Sequence, residues 1–139
     1  MNTELSDTKL VVYKAVIPIE PTTKKNSLEI RYRKGKDGNP VPFISQGDAY
    51  KQYENDAMWF LRPCTGGIID YPVNIMCTFY RKDRHRIDLT NLLEAIDDIL
   101  VSAHILKDDT FTILASHDGS RVLIDKDNPR TEIIITRYE

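Results

Sequence analysis

The chain has 139 residues, of which 41% are hydrophobic and 29% are charged, and its formal net charge is −2. This length and composition predict one globular domain with a sizeable core and argue against a disordered or fibrous chain. No apolar run approaches the roughly 20 residues that span a bilayer, and a leader-like start is absent. The two cysteines have no metal-binding spacing. We therefore expect a soluble protein of the cytoplasm with reduced thiols and no membrane partner.

The first part of the chain alternates β-prone stretches with one helical stretch. The stretches that predict strands are residues 10–19, 28–33, 40–44 and 71–80. The second and third flank a glycine-containing turn at residues 35–39, which indicates a β-hairpin with a cationic tip. Aromatic and alanine residues at helical spacing predict a helix over residues 46–61, which ends before Pro63.

The stretch from Arg86 to Asp109 predicts a second helix and contains the most specific chemistry. Its leucine and isoleucine residues fall on one arc of a helix, so that polar and acidic residues occupy the opposite side. Asp88 precedes the first apolar residue, where its carboxylate is expected to cap the first amides of the helix. Asp108 and Asp109 follow after a short loop, and we expect this second acidic group to approach the first. Alternation along a strand that starts there predicts that only one of them points inward.

The rest of the chain predicts short strands joined by turns. The strands are residues 111–116, 121–124 and 131–138, with a turn at residues 117–120. The whole pattern predicts an α+β fold, in which a mixed sheet packs with two main helices in a single small domain. Neither a glycine-rich phosphate loop nor a nucleophile elbow is present, so we expect no nucleotide cofactor and no serine or cysteine nucleophile.

A run of cations leads directly into the acidic helix. Arg81, Lys82, Arg84 and Arg86 immediately precede Asp88. An acidic helix face is more often simply solvated, but cations beside it favour a place where metal and phosphate meet. Carboxylates that converge there suit Mg²⁺, which takes oxygen ligands from few protein groups and the rest from water and phosphate. Bound ions can orient the attacking water and stabilise the leaving oxygen of a phosphodiester.

The same residues form a motif that resembles a known family. The pattern Asp-Leu-x-Asn-Leu-x-x-Ala-x-x-Asp-x-Leu, followed by Asp-Asp, resembles the core motif of the RusA family of Holliday junction resolvases. In this chain it comprises Asp88, Leu89, Asn91, Leu92, Ala95, Asp98, Leu100, Asp108 and Asp109. The Lys-Lys-Asn-Ser segment at residues 24–27 and the tyrosine-containing segment at residues 45–54 resemble phage-borne members. The resemblance thus covers most of the chain.

This resemblance implies an endonuclease that uses Mg²⁺, or Mn²⁺ in its place, to cut four-way DNA junctions in recombination and repair, and that acts as a homodimer. The catalytic candidates are Asp88, Asn91, Glu94 and Asp109, and the metal-ligand candidates are Asp88, Glu94, Asp108 and Asp109. The DNA-binding candidates are Lys24, Lys25, Asn26, Arg81, Lys82, Arg84 and Arg86.

Two positions depart from the family pattern. Thr90 stands where the best-known branch has a second Asp, and Glu94 stands where it has a catalytic lysine. One interpretation is an exchange, in which Glu94 supplies the carboxylate from one turn further along the helix. The missing positive charge then comes from Lys24, Lys25 or the basic run. The alternatives are a weakened or inactive junction-binding protein and, apart from the resemblance, an acidic interaction module without a nucleic-acid partner.

Overall fold

The computed structural model describes residues 10–24 and 28–138, which contain seven strands and two helices. The strands are β1 (Val11–Ile17), β2 (Leu28–Lys34), β3 (Pro40–Gln46), β4 (Val73–Arg81), β5 (Leu114–Ser116), β6 (Arg121–Ile124) and β7 (Arg130–Arg137). The helices are α1 (Asp48–Met58), between β3 and β4, and α2 (Leu89–Ser102), between β4 and β5. The predicted α+β fold with two main helices is confirmed. Neither helix of this described part has the length and apolar content needed to cross a bilayer.

Strand β4 is the centre of the main sheet. It pairs antiparallel with β7, which pairs antiparallel with β1 on the outside. On its other side β4 pairs in parallel first with β5 and then with β6. Side chains along β4 are alternately buried and partly buried, because successive residues of a strand point to opposite faces. Strands β2 and β3 form a separate antiparallel hairpin, as predicted.

The two helices supply the second layer of the core. Helix α2 buries Leu92, Ala95, Ile96, Ile99 and Leu100, which belong to the same cluster as the buried residues of β4. Leu89 and Leu93 also lie on the predicted apolar arc, but they are only partly buried. Each fully buried leucine or isoleucine stabilises the fold by about 1.5–3 kcal/mol, so this face fixes how α2 is rotated against the sheet.

The segment after α2 differs from the prediction. Residues 111–113 form a turn, and only Leu114–Ser116 pair with β4 as a strand. The turn is closed by the carbonyl of Thr110, which accepts hydrogen bonds from the amides of Ile113 and Leu114. Asp108 and Asp109 therefore lie in a loop well before the strand. The predicted strand start at Phe111 is wrong, because the strand begins at Leu114, and strand alternation therefore does not choose between Asp108 and Asp109.

Candidate acidic site on helix α2

Asp88 lies at the exposed start of helix α2. It occupies the N-cap position, with φ −92° and ψ 131°, and its main-chain carbonyl accepts hydrogen bonds from the amides of Asn91 and Leu92. Its carboxylate makes no capping hydrogen bond. Instead, Asn91 Nδ2 donates a hydrogen bond to Asp88 Oδ2 at 3.3 Å. The predicted cap position is confirmed and the predicted capping bond is wrong, so the carboxylate remains accessible to a ligand.

Asn91 and Glu94 continue the same edge of the helix. Together with Ala95 they line a small recess, whose opposite wall is formed by Thr23 and Lys24 from the segment after β1. Glu94 is exposed, whereas Asn91 is partly buried. The sequence prediction placed Asn91 and Glu94 in one site because they are one helical turn apart, and the structure brings both to this recess.

Lys24 lies against this edge of α2 and supplies a positive charge there. Its Nζ is 2.6 Å from Asp98 Oδ2 and 5.8 Å from the centre of the Tyr50 ring. The hydrogen bond to Asp98 raises the pKa of Lys24 in spite of partial burial, and the charges of Glu54 and Glu94 act in the same direction. The ammonium therefore stays protonated next to Glu94. The two other predicted members of this loop, Lys25 and Asn26, lie outside the described residues.

The opposite edge of α2 carries a partly buried pair that sequence reasoning missed. His117 Nε2 lies 2.9 Å from Asp97 Oδ2, and His117 Nδ1 lies 2.9 Å from the carbonyl oxygen of Ile75. A carbonyl oxygen only accepts hydrogen bonds, so His117 Nδ1 carries a proton. The contact between His117 Nε2 and Asp97 Oδ2 then requires a second proton, which these two side chains share. The turn that presents His117 needs Gly119, whose φ of +87° is unfavourable for other residues.

The electrostatics of the pair agree with a shared proton. Burial raises the pKa of Asp97, the hydrogen bond from His117 opposes this, and the charges of Asp109 and Asp98 raise it further. Burial lowers the pKa of His117, but the hydrogen bond and charge of Asp97 outweigh it, so that the net shift is upward. Within the described residues, Asp97 Oδ1 is buried without a hydrogen-bond partner. Asp97 is therefore a structural carboxylate and not an accessible ligand.

Asp108 and Asp109 are exposed and lie near the second half of α2. The amide of Asp109 donates a 2.8 Å hydrogen bond to Asp108 Oδ1. The charge of Asp109 contributes to the raised pKa of Asp97, so Asp109 adjoins the Asp97 edge. The short loop thus brings Asp109 within electrostatic range of helix α2. The expected approach of the second acidic group to Asp88 stays a prediction.

The donors at the start of α2 suit only one kind of metal site. Across residues 10–24 and 28–138, no three His, Cys, Asp or Glu side chains are grouped closely enough to hold a metal ion. Mg²⁺ in phosphoryl-transfer sites is commonly held by one or two carboxylates, with water and substrate phosphate as the remaining ligands. The exposed carboxylate of Asp88, oriented by Asn91, fits such a substrate-assisted site. The arrangement does not fit a cage built from protein ligands alone.

The basic run before α2 divides into one buried and three exposed cations. Arg81 is 9% exposed, and its Nη1 donates a 2.8 Å hydrogen bond to the carbonyl of His85. Arg81 therefore shapes the loop of residues 82–87 instead of facing solvent. Lys82, Arg84 and Arg86 are exposed on that loop. Side chains of the loop surround a concave space of about 350 Å³, which places positive charge directly before Asp88.

A scan of protein-family models finds no match to this chain, and a search of curated protein sequences finds no significant similarity. Membership of the RusA family stays a prediction that depends on the motif residues.

Proposed function

We propose that this chain is a Mg²⁺-dependent endodeoxyribonuclease that hydrolyses phosphodiester bonds in branched DNA, with four-way junctions as its substrate. The observation that carries the proposal is the start of α2, where the accessible carboxylate of Asp88 directly follows the exposed cations Lys82, Arg84 and Arg86. Such cations attract the DNA backbone, and the carboxylate supplies an oxygen ligand for the metal that neutralises the scissile phosphate. The RusA-like motif supports the same assignment.

Each residue at this edge has a distinct part in the proposed site. When bound, Mg²⁺ supplies Lewis-acid activation of the phosphate and lowers the pKa of a bound water. Asp88 holds the ion, and Asn91 keeps the Asp88 carboxylate in place through its 3.3 Å hydrogen bond. Glu94 takes over from the carboxylate that Thr90 lacks, since the two side chains are neighbours on the helix surface. Lys24 offsets the negative charge of Glu94 and Asp98.

The proposal includes a two-fold homodimer. A four-way junction is resolved by cuts in two opposing strands, and a dimer with two-fold symmetry presents two identical sites for them. The resemblance to phage-borne enzymes further favours an intracellular role in recombination and repair of bacterial or phage DNA.

A second candidate function is junction binding without cleavage. One observation favours it: Thr90 stands where the family pattern has its second Asp. In this case the cations of the loop before α2 bind DNA, and the acidic edge is a remnant. The difference between the two candidates is chemical and can be measured directly.

The test uses a synthetic four-way junction with each strand labelled in turn, and a linear duplex of the same sequence as control. The enzyme hypothesis expects paired nicks near the branch point in Mg²⁺ or Mn²⁺ and none in EDTA. The binding hypothesis expects a junction-specific complex in gel-shift experiments and no nicks with either metal. If the chain neither retards nor cuts the junction, both are wrong and the acidic interaction module is left.

A further inference from the structure

The hairpin of β2 and β3 presents an exposed apolar face. Ile30 and Tyr32 of β2 are each 67% exposed. Pro42 pairs with Tyr32 in the register of the two strands, and Pro40 follows on the same side of β3; both prolines are exposed. Residues that pair directly in an antiparallel hairpin point to the same face, as do residues two apart in one strand. These side chains therefore form one apolar face around Tyr32.

The other face of the hairpin is tied to the body of the protein. Nη2 of Arg31 lies 2.8 Å from Oδ1 of Asp48, the first residue of α1. Phe43 pairs with Arg31 and is partly buried, and the guanidinium of Arg33 lies 5.4 Å from the centre of the Phe43 ring. Because successive side chains of a strand alternate between faces, this attachment turns the Tyr32 face away from α1.

Cations surround the apolar face. Lys34 lies on the same face as Tyr32, one position closer to the turn on that side, and Arg33 and Lys36 are exposed in the strand and the turn. The carboxylate of Asp37 accepts hydrogen bonds from within the turn. An aromatic ring among cations is the combination with which proteins hold single-stranded nucleic acid: the ring stacks on a base and the cations contact phosphates.

A peptide strand is a poor occupant for this hairpin. The amide of Gly35 donates a hydrogen bond to the carbonyl of Asn39, and hydrogen-bonded pairs alternate with non-hydrogen-bonded pairs along an antiparallel ladder. The backbone nitrogens of Pro40 and Pro42 are therefore directed to the free edge of β3, where they have no proton to donate to a further strand. An occupant that is bound through stacking and phosphate contacts fits better.

The hairpin begins close to the acidic edge of α2. Lys24 lines the recess with Asn91 and Glu94, and β2 begins at Leu28, four residues further along the chain. Four residues span at most about 14 Å, so the near end of the hairpin lies within this distance of the Cα atom of Lys24. A nucleic-acid strand that follows the hairpin can thus continue to the acidic edge along the protein surface.

We propose that the hairpin is a stacking arm for nucleic acid, in which Tyr32 stacks on an unpaired base while Lys34 and Lys36 contact the phosphates beside it. Unpaired bases have accessible faces, whereas bases inside a duplex are already stacked on one another, so the arm selects DNA with unpaired bases over a linear duplex. The inference rests on the proposed function for its substrate, branched DNA, and names the residue that recognises unpaired bases in it.

The test measures how the full chain binds an end-labelled oligonucleotide of about 12 thymidine nucleotides, by fluorescence anisotropy in EDTA. Tyr32→Ala is expected to weaken binding by about 10-fold or more, the effect of losing one base–aromatic stack. Tyr32→Phe keeps the ring and is expected to bind like the wild type. Tyr32→Leu keeps an apolar side chain without a ring and is expected to lose most of the same affinity.

Controls separate stacking from charge and from other aromatics. Trp59→Ala is the matched control, because Trp59 is 86% exposed at the other end of α1 from Asp48, and no change is expected. Replacing Lys34 and Lys36 by Gln is expected to make the slope of log affinity against log salt shallower by up to about 1.4, whereas Tyr32→Ala leaves the slope unchanged. Thermal unfolding verifies that each variant keeps its fold.

Three results overturn the proposal: a wild-type chain that does not bind the oligonucleotide, even if it binds vesicles of anionic phospholipid; binding by Tyr32→Ala or Tyr32→Leu at the wild-type affinity; or an equal loss in Trp59→Ala. The inference and the proposed function fail separately. If Tyr32→Ala loses oligonucleotide binding but the wild type cuts no junction, the stacking arm is kept and the nuclease is refuted. If the wild type cuts junctions and Tyr32→Ala changes neither cleavage nor oligonucleotide affinity, the nuclease is kept and the stacking arm is refuted.

Discussion

The two edges of helix α2 are both acidic, but one faces solvent and the other packs against the turn between β5 and β6. On the first edge Asp88 and Glu94 are accessible, and Lys24 pairs with Asp98. On the second edge Asp97 is largely buried and shares a proton with His117. The number of carboxylates on a helix therefore does not define a site. Burial decides whether a carboxylate is available to a ligand or has to be paired inside the protein.

The strongest test of this contrast is Asp88→Asn. If Asp88 holds the catalytic metal, the substitution lowers junction cleavage by about 100-fold or more, the scale seen when one electrostatic catalytic group is removed. Binding measured without metal stays the same or becomes tighter, because a carboxylate near phosphate is removed. Single-turnover cleavage and gel shifts measure the two effects. Asp127→Asn, in an exposed loop, is the control. Cleavage by Asp88→Asn at the wild-type rate would show that Asp88 has no catalytic part.

The corresponding test on the edge with Asp97 is His117→Asn, which we expect to lower the stability of the fold. It leaves the carboxylate of Asp97 buried without its partner, and we expect a loss of about 1–3 kcal/mol in the free energy of unfolding. Asp88→Asn is expected to change the same quantity by less than about 0.5 kcal/mol, because Asp88 is exposed. Urea unfolding at constant pH compares the two. Equal effects would mean that the two edges of α2 do not differ in how far their carboxylates are buried.

The buried edge also predicts a pH dependence. Because the pKa of His117 is raised above its ordinary value of 6.5, its stabilisation is complete below pH 6.5 and is lost as pH rises through the folded pKa. The raised pKa of Asp97 has the same sign, since the folded protein keeps a proton that the unfolded chain releases. Asp98, Asp109 and, on β4, Cys77 are the other titratable groups near the pair.

The measurement is the free energy of unfolding between pH 6.5 and about pH 8, which stays below the ordinary thiol pKa of 9.0. We expect wild-type stability to fall with rising pH, and the fall to be smaller in Asp97→Asn, in which His117 has no anionic partner. A parallel decline in both proteins would assign the pH dependence to other groups.

On the exposed edge, Glu94→Gln separates the exchange hypothesis from a solvated helix residue. If Glu94 replaces the missing carboxylate, cleavage falls by about tenfold or more, as for polar groups that support a metal site. Thr90→Asp in the same background restores part of the rate. If Glu94→Gln cuts junctions like the wild type, the exchange is refuted. If Thr90→Asp alone raises the rate of the wild-type chain, the natural site is a weakened form of the family pattern.

The smallest expected effect concerns the cations. Neutralising Lys82 and Arg84 together removes up to two phosphate contacts, so the slope of log affinity against log salt becomes shallower by up to about 1.8. Lys24→Met is expected to change this slope less, because its ammonium is held by Asp98 and contributes to the helix edge. Titrations of a junction at several salt concentrations compare the variants. A larger change for Lys24→Met would place this lysine on the DNA backbone.

The sequence by itself determined the elements with a strong local period. The alternation in β4, the apolar arc of α2 and the hairpin of β2 and β3 are all visible in the sequence, and the structure contains them with shifted ends. It also determined that Asp88 stands just before α2 and that Asn91 and Glu94 share one helix edge. These features depend on residues within a few positions of one another, where backbone geometry alone dictates the neighbours.

Only the tertiary structure decided which charged groups face one another. The pair of Asp97 and His117 joins residues 20 positions apart, and the pair of Lys24 and Asp98 joins residues 74 positions apart. The burial of Arg81 also involves a distant residue, since its Nη2 lies 3.7 Å from Glu20 Oε1. Such contacts depend on how α2 is rotated on the sheet and where the loops close. The apolar arc predicts which face of α2 is buried, but the side chains that meet its two edges come from elements far away in the sequence, and no local pattern names them.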